Sequence, residues 1–180
     1  MRPANALLAD RFPDLALPDS VREGDSVPRL LRYDSVSGLA TALPGVLAEE
    51  AAAVEDGRVA VIVPEGLLEL VEHTLSAALP PTAEAAASSG LRSDDVGYGP
   101  TAIDHRIAVV TPQEVKGLEF DAVLVLEPAL IAPDSPESDG PQNAGVGALY
   151  VALTRSMSRL AILAANPSIL DQYFEHEAAE

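Results

Sequence analysis

The chain has no cysteine and no tryptophan, and only three phenylalanines and four tyrosines in 180 residues. Without cysteine there are no disulfides and no thiolate metal sites, which fits a reducing cytoplasm. With so few rings and 48% hydrophobic residues, the core must be built from Ala, Leu and Val. No apolar run approaches the length of a membrane span, and the start of the chain lacks a basic-then-apolar secretory pattern. The expectation is a soluble cytoplasmic protein with no membrane partner and no metal site of its own. Positive charge is also scarce: 11 basic residues face 28 acidic ones, for a net charge of −17. Such a surface repels nucleic acid over most of its area and equally serves solubility. Finally, there is no G-x-x-x-x-G-K-[ST], so no loop of this chain cradles a phosphate in that way. Gly145-Val146-Gly147 lacks both the lysine and the preceding strand. No apolar run ends in the paired acids that would hold Mg²⁺.

What is present reads as alternating strand and helix. The length suits one domain: a proline-punctuated extended segment over 1–28, with a short helix around Asn5 to Phe12, then an α/β domain over 29–174, then an acidic tail over 175–180. Arg29 to Tyr33 reads as a strand, and Asp34 or Ser35 caps a helix running to about Val54. Pro44 and Gly45 interrupt that helix, so it is expected kinked or in two pieces. Arg58 to Val63 is a fully apolar strand, as in a buried parallel sheet. Pro64 opens a second helix on which Leu67, Leu68, Val71, Leu75 and Leu79 share a face. Pro80 to Pro100 reads as a connector, with a helical turn at Ala83 to Ala87 and a weak strand near Leu91. Two strands, Ile107 to Val110 and Ala122 to Leu126, frame a polar turn. An acidic loop over Pro133 to Asn143, a helix over Val146 to Ser156, a strand over Arg159 to Leu163 and a helix from Ser168 to about Phe174 complete the pattern. This is an α/β fold with a mainly parallel sheet.

The polar turn stands out. Ten of the eleven basic residues are arginine, and the one lysine, Lys116, lies beside Gly117 and three residues before Glu119. Glycine lets a backbone approach a ligand closely. A lysine ammonium is a compact charge suited to phosphate, and a glutamate can accept from ribose hydroxyls. A solvated turn between strands explains the same residues equally well. In open parallel sheets ligands bind outside the carboxyl ends of the strands, and this loop follows one. Arg155, at the end of a helix, reads on chemistry alone as a structural cap favoured by the helix dipole.

Two stretches carry a resemblance. Thr111-Pro112-Gln113-Glu114-Val115-Lys116-Gly117-Leu118-Glu119-Phe120-Asp121 resembles the fifth motif of the UvrD/Rep-like superfamily 1 helicases, usually Thr-x-His-x-x-Lys-Gly-Leu-Glu-Phe. Leu149-Tyr150-Val151-Ala152-Leu153-Thr154-Arg155 resembles their sixth motif. The similarity covers about residues 104 to 165, and Glu127-Pro128 and the form LYVALTR are most similar to the HelD-like branch. The resemblance implies a RecA-like three-layer domain. It implies that Arg155 is an arginine finger toward the γ-phosphate of ATP, and that Lys116, Gly117, Glu119 and Thr154 contact nucleotide. Thr111 and Gln113 would couple to nucleic acid. It places the phosphate loop and the Mg²⁺ ligands on a first RecA-like domain upstream, the implied partner, so this chain alone is expected not to hydrolyse ATP.

The pattern departs from the UvrD type in places. Gln113 stands where histidine is usual, Gly145-Val146-Gly147-Ala148 replaces a Glu-Arg-Arg lead-in, and Ser156 replaces an alanine. Little chain is left for the large subdomain that many relatives insert between the fourth and fifth motifs. Three readings follow: the C-terminal motor half of an ATP-dependent DNA helicase, a HelD-like factor that releases RNA polymerase, or a degenerate RecA-like domain that only docks on a protein.

Overall fold

The structure is a computed structural model that describes Leu7 and residues 26–81, 90–133 and 142–174. The expected helix at Asn5 to Phe12 (Leu7 apart), the turn at Ala83 to Ala87 and the acidic tail lie outside those residues. Six short strands form one sheet: β1 (Arg29–Arg32), β2 (Val59–Ile62), β3 (Val96–Tyr98), β4 (Ile107–Val110), β5 (Phe120–Leu126) and β6 (Ser156–Ala164), in the order β1-β6-β5-β2-β4-β3. All five pairings are parallel. β2 and β4 are buried at every position, as their unbroken apolar runs require when both faces are covered.

Alternate residues of the strands feed two cores. On one face Val59, Val61, Ile107, Val109, Leu124 and Leu163 pack under helices α1 (Val36–Ala53) and α2 (Leu68–Ala78). On the other, Ala60, Ile62, Val110, Val123, Val125 and Ile162 pack with Val115, Leu7 and helix α4 (Gln142–Leu153). The short helices α3 (Pro128–Ile131) and α5 (Asp171–Phe174) border that second layer. The chain advances from β1 through β2 to β3 beneath α1 and α2, then returns through β4 and β5 to β6 over the opposite face. Advancing on one face and returning on the other keeps every crossover the same hand. The result is the α/β three-layer architecture expected of a RecA-like domain.

Several local expectations are corrected. α1 is one unbroken helix with Pro44 inside it. Pro44 costs the bond its missing N–H would have donated, on the order of 3 kcal/mol. Burial of Leu39, Leu43 and Leu47 on one stripe, at about 1.5–3 kcal/mol each, outweighs that. Of the two residues expected to cap α1, Ser35 does so, its side chain accepting from the Gly38 amide at 3.1 Å. Pro64 leads into a 3₁₀ turn, Glu65–Leu67, before α2 begins. Leu91 is buried but not in a strand; the strand is Val96–Tyr98, too short to show a period of two. α4 starts earlier than expected and ends at Leu153, and β6 begins at Ser156, within what read as helix. The last helix is only Asp171–Phe174, with the Ser168 hydroxyl meeting the Asp171 carboxylate at 3.0 Å.

Candidate nucleotide-facing edge

The connection from β4 to β5, residues 111–119, contains no helix, yet it joins parallel strands with β2 between them. It must therefore start at the carboxyl edge of the sheet and finish at the amino edge. Val115, fully buried in the second core, pins its middle to the sheet face. Thr111 is left at the carboxyl edge, where its amide and hydroxyl both donate to the Glu114 carboxylate, at 2.7 and 2.9 Å. Gln113 is exposed close by. Gly117 and Glu119 fall at the other edge, beside the first residue of β5. The expectation that this block sits outside the carboxyl ends of the strands is thus corrected. That expectation assumed a loop stays where its first strand ends, and this one crosses.

Arg155 is at that same amino edge, in the turn between α4 and β6. Its Nη1 donates to the Leu118 carbonyl at 3.0 Å, and its own carbonyl accepts from the Phe120 amide at 3.0 Å. Its Nε donates to Val151 O at 3.2 Å, closing the end of α4, and Nη2 reaches the Thr154 hydroxyl at 3.4 Å. Those bonds use three of the five N–H groups of a guanidinium. Among the described residues the other two have no acceptor, and no carboxylate pairs with Arg155. The Thr154 hydroxyl is turned back on its helix, within 3.0 Å of Tyr150 O. Lys116 is exposed, two residues ahead of the carbonyl that Arg155 holds. Gly117 has φ +78°, and a Cβ built there meets nothing within 4 Å, so its backbone faces open space. Lys116, Gly117, Glu119, Thr154 and Arg155 are thereby gathered at one edge, and Thr111 and Gln113 lie at the opposite one.

The sequence reading missed the groups that build this edge. β6 carries one extra residue between its pairings with Phe120 and Ala122, a bulge spanned by the Ser156 hydroxyl donating to Arg159 O at 2.7 Å. Bulges re-aim neighbouring side chains, and this one adjoins Arg155. Arg159 donates to the buried Glu50 carboxylate at 2.6 Å, and Arg29 meets the same carboxylate at 3.0 Å. The hydrogen bond to Glu50 raises the Arg159 pKa, with Coulombic attraction adding to it. Arg159 is structural, tying α1 to β6 and β1. Arg106, just ahead of β4, donates to Ala51 O at 3.0 Å and to Glu55 O, capping the end of α1, which has no basic residue in its own last turn. Asp121 holds the start of β2, its carboxylate accepting from the Arg58 amide at 2.8 Å. Asp121, the acid that ends the Lys-Gly-Leu-Glu-Phe-Asp block, thus faces Arg58, the residue just ahead of β2.

The edge is suited to a compact anion. Its free guanidinium donors, open glycine backbone and exposed lysine are the donor set that phosphate takes. Among the described residues no group of three or more His, Asp and Glu side chains could hold a metal ion.

No family model matches the chain, and no curated protein matches it. Among solved structures it is similar to the C-terminal domain of a possible DNA helicase from Lactobacillus plantarum WCFS1. The TM-score is 0.54 and the identity 20%, covering 94% of this chain and 86% of that one. The likeness is one of fold.

Proposed function

We propose that this chain is the second RecA-like half of an ATP-driven helicase-family motor. Its amino edge closes on ATP bound by a first RecA-like domain, and Arg155 serves as the arginine finger. The observation that carries this reading is the 3.0 Å bond from the Arg155 guanidinium to Leu118 O, next to Gly117. It brings together two motifs that lie some 37 residues apart in sequence. The fold shared with the C-terminal domain of a possible DNA helicase supports the same reading. Exposed Met157 and Ile103 give the edge an apolar rim of the kind a partner domain covers.

In this reading ATP supplies the transferable phosphoryl group and its Mg²⁺ is held by the other half. Arg155, oriented by Val151 O and Leu118 O, turns its two remaining N–H groups toward charge that builds on the γ-phosphate. Lys116 adds a point charge, the Gly117 backbone admits the phosphates closely, and Glu119 accepts from the ribose. The bond between Thr111 and Glu114 starts a nine-residue path, 111–119, from the carboxyl edge to the nucleotide. Movement at a nucleic-acid or protein contact near Thr111 and Gln113 would reach Gly117 along that path.

The work done differs in a second reading: ATP-driven release of RNA polymerase rather than unwinding of DNA. What favours it is the stretch between β1 and β4, where the described residues hold only α1, β2, α2, β3 and short 3₁₀ turns. A large inserted subdomain has no room there.

ATP turnover by a protein joining both halves, set against each half alone, tests the motor. Turnover should require the pair. An upstream half that hydrolyses ATP equally fast alone would reduce this domain to a docking module.

A further inference from the structure

We propose that Arg58 is a second anion-binding arginine of this edge, sharing the polyphosphate chain of a nucleoside triphosphate with Arg155. The proposal rests on the reading of the edge given above and extends it to a residue outside both motifs.

The seven described arginines differ in their partners. Arg32 pairs with Asp171 and Arg92 with Asp95. Arg29 and Arg159 share Glu50. Arg58, Arg106 and Arg155 have no carboxylate among the described residues, in a chain where acids outnumber bases by 28 to 11. Arg106 bonds two carbonyls through one nitrogen at the end of α1, which leaves Arg58, exposed, and Arg155, half-buried. Both are at the amino edge, Arg155 just ahead of β6 and Arg58 just ahead of β2. β5 runs between those strands, so their backbones are about 10 Å apart, two strand spacings.

Phe120 and Asp121, at the start of β5, hold both. Phe120 donates its amide to Arg155 O, and its ring carries the Arg58 guanidinium at 5.3 Å from the centroid. The Asp121 carboxylate takes the Arg58 amide at 2.8 Å, and the Asp121 amide donates to Arg58 O at 2.9 Å. Arg58 also donates to Ile103 O through Nη2. Its head is therefore aimed by a ring and a carbonyl, contacts that fix direction and leave the charge unneutralised. The side chain is exposed, so the fold does not need that charge for packing. Two guanidiniums two strands apart, with Lys116 and the open Gly117 backbone beside them, match a short dense polyanion. A nucleic-acid backbone needs a longer run of cations, and Glu55 and Asp56 interrupt any such run directly ahead of Arg58.

The test uses arginine Nε–Hε signals of the 180-residue chain, titrated with inorganic tripolyphosphate at constant ionic strength. The Arg58 and Arg155 signals should shift along one saturable curve while that of Arg92 stays fixed. Arg58→Gln should weaken binding about fivefold, the size of one partly screened charge contact. Arg58→Lys, which keeps the charge, should stay within about twofold. A still Arg58 signal, or unchanged affinity in Arg58→Gln, overturns the proposal while leaving the motor reading to its own ATPase test. An oligothymidylate that moves the same signals at lower concentration also overturns it, by making the edge a nucleic-acid contact.

Discussion

Gly57 shows how closely single residues are fitted at the amino edge. A Cβ there would lie 2.8 Å from Val54 O and 2.9 Å from the Asp121 carboxylate that holds the start of β2. The carbonyl is backbone and cannot swing away, so the carboxylate must give up the Arg58 amide. Gly57→Ala is expected to cost about 1–3 kcal/mol, the range for a methyl forced into a filled site, read as a lower urea midpoint at unchanged slope. An unchanged midpoint would mean the Asp121 contact is dispensable. Residues of this kind were only partly legible beforehand. Lys116 and Arg155 stood out by rarity and by motif. Arg58 and Glu50 did not, because their meaning depends on partners 62 to 109 positions away, such as Phe120 for the one and Arg159 for the other. No local pattern encodes a ring under a guanidinium, or a carboxylate shared by arginines of two strands.

Among the elements, the β-branched strands were the plainest in sequence because both faces of each are buried, which leaves an uninterrupted apolar run. β3 was not. Three residues show no period, and Gly97 is there because any Cβ would lie 2.4 Å from the His105 ring. The β4–β5 connection was read on the wrong edge, since strand order is a long-range property and decides which way a helix-free loop must run. α1 was read as broken because local propensity speaks against Pro44, whereas tertiary burial holds the helix together. That conflict makes a prediction. Pro44→Ala restores a backbone donor within α1, and the gain should exceed the loss of proline's rigidity in the unfolded chain. A stabilisation of about 1–3 kcal/mol is expected, seen as a higher urea midpoint. A destabilised variant would show that the helix is shaped around the proline.

For the molecule as a whole, charge is segregated. α1 and α2 contain glutamates and no lysine or arginine. Most of the described arginines are at the amino edge, where Arg29 and Arg159 are paired with Glu50 and Arg106 is bonded to carbonyls at the end of α1. Arg155 is half-buried and, among the described residues, keeps two donors unused near Gly117. On the proposed reading, in a protein joining this domain to a first RecA-like half, Arg155→Ala should lower ATP turnover by about three to five decades while ATP binding, measured on the same preparation, stays close to normal. Turnover near that of the unaltered protein would contradict the assignment of Arg155 as the finger.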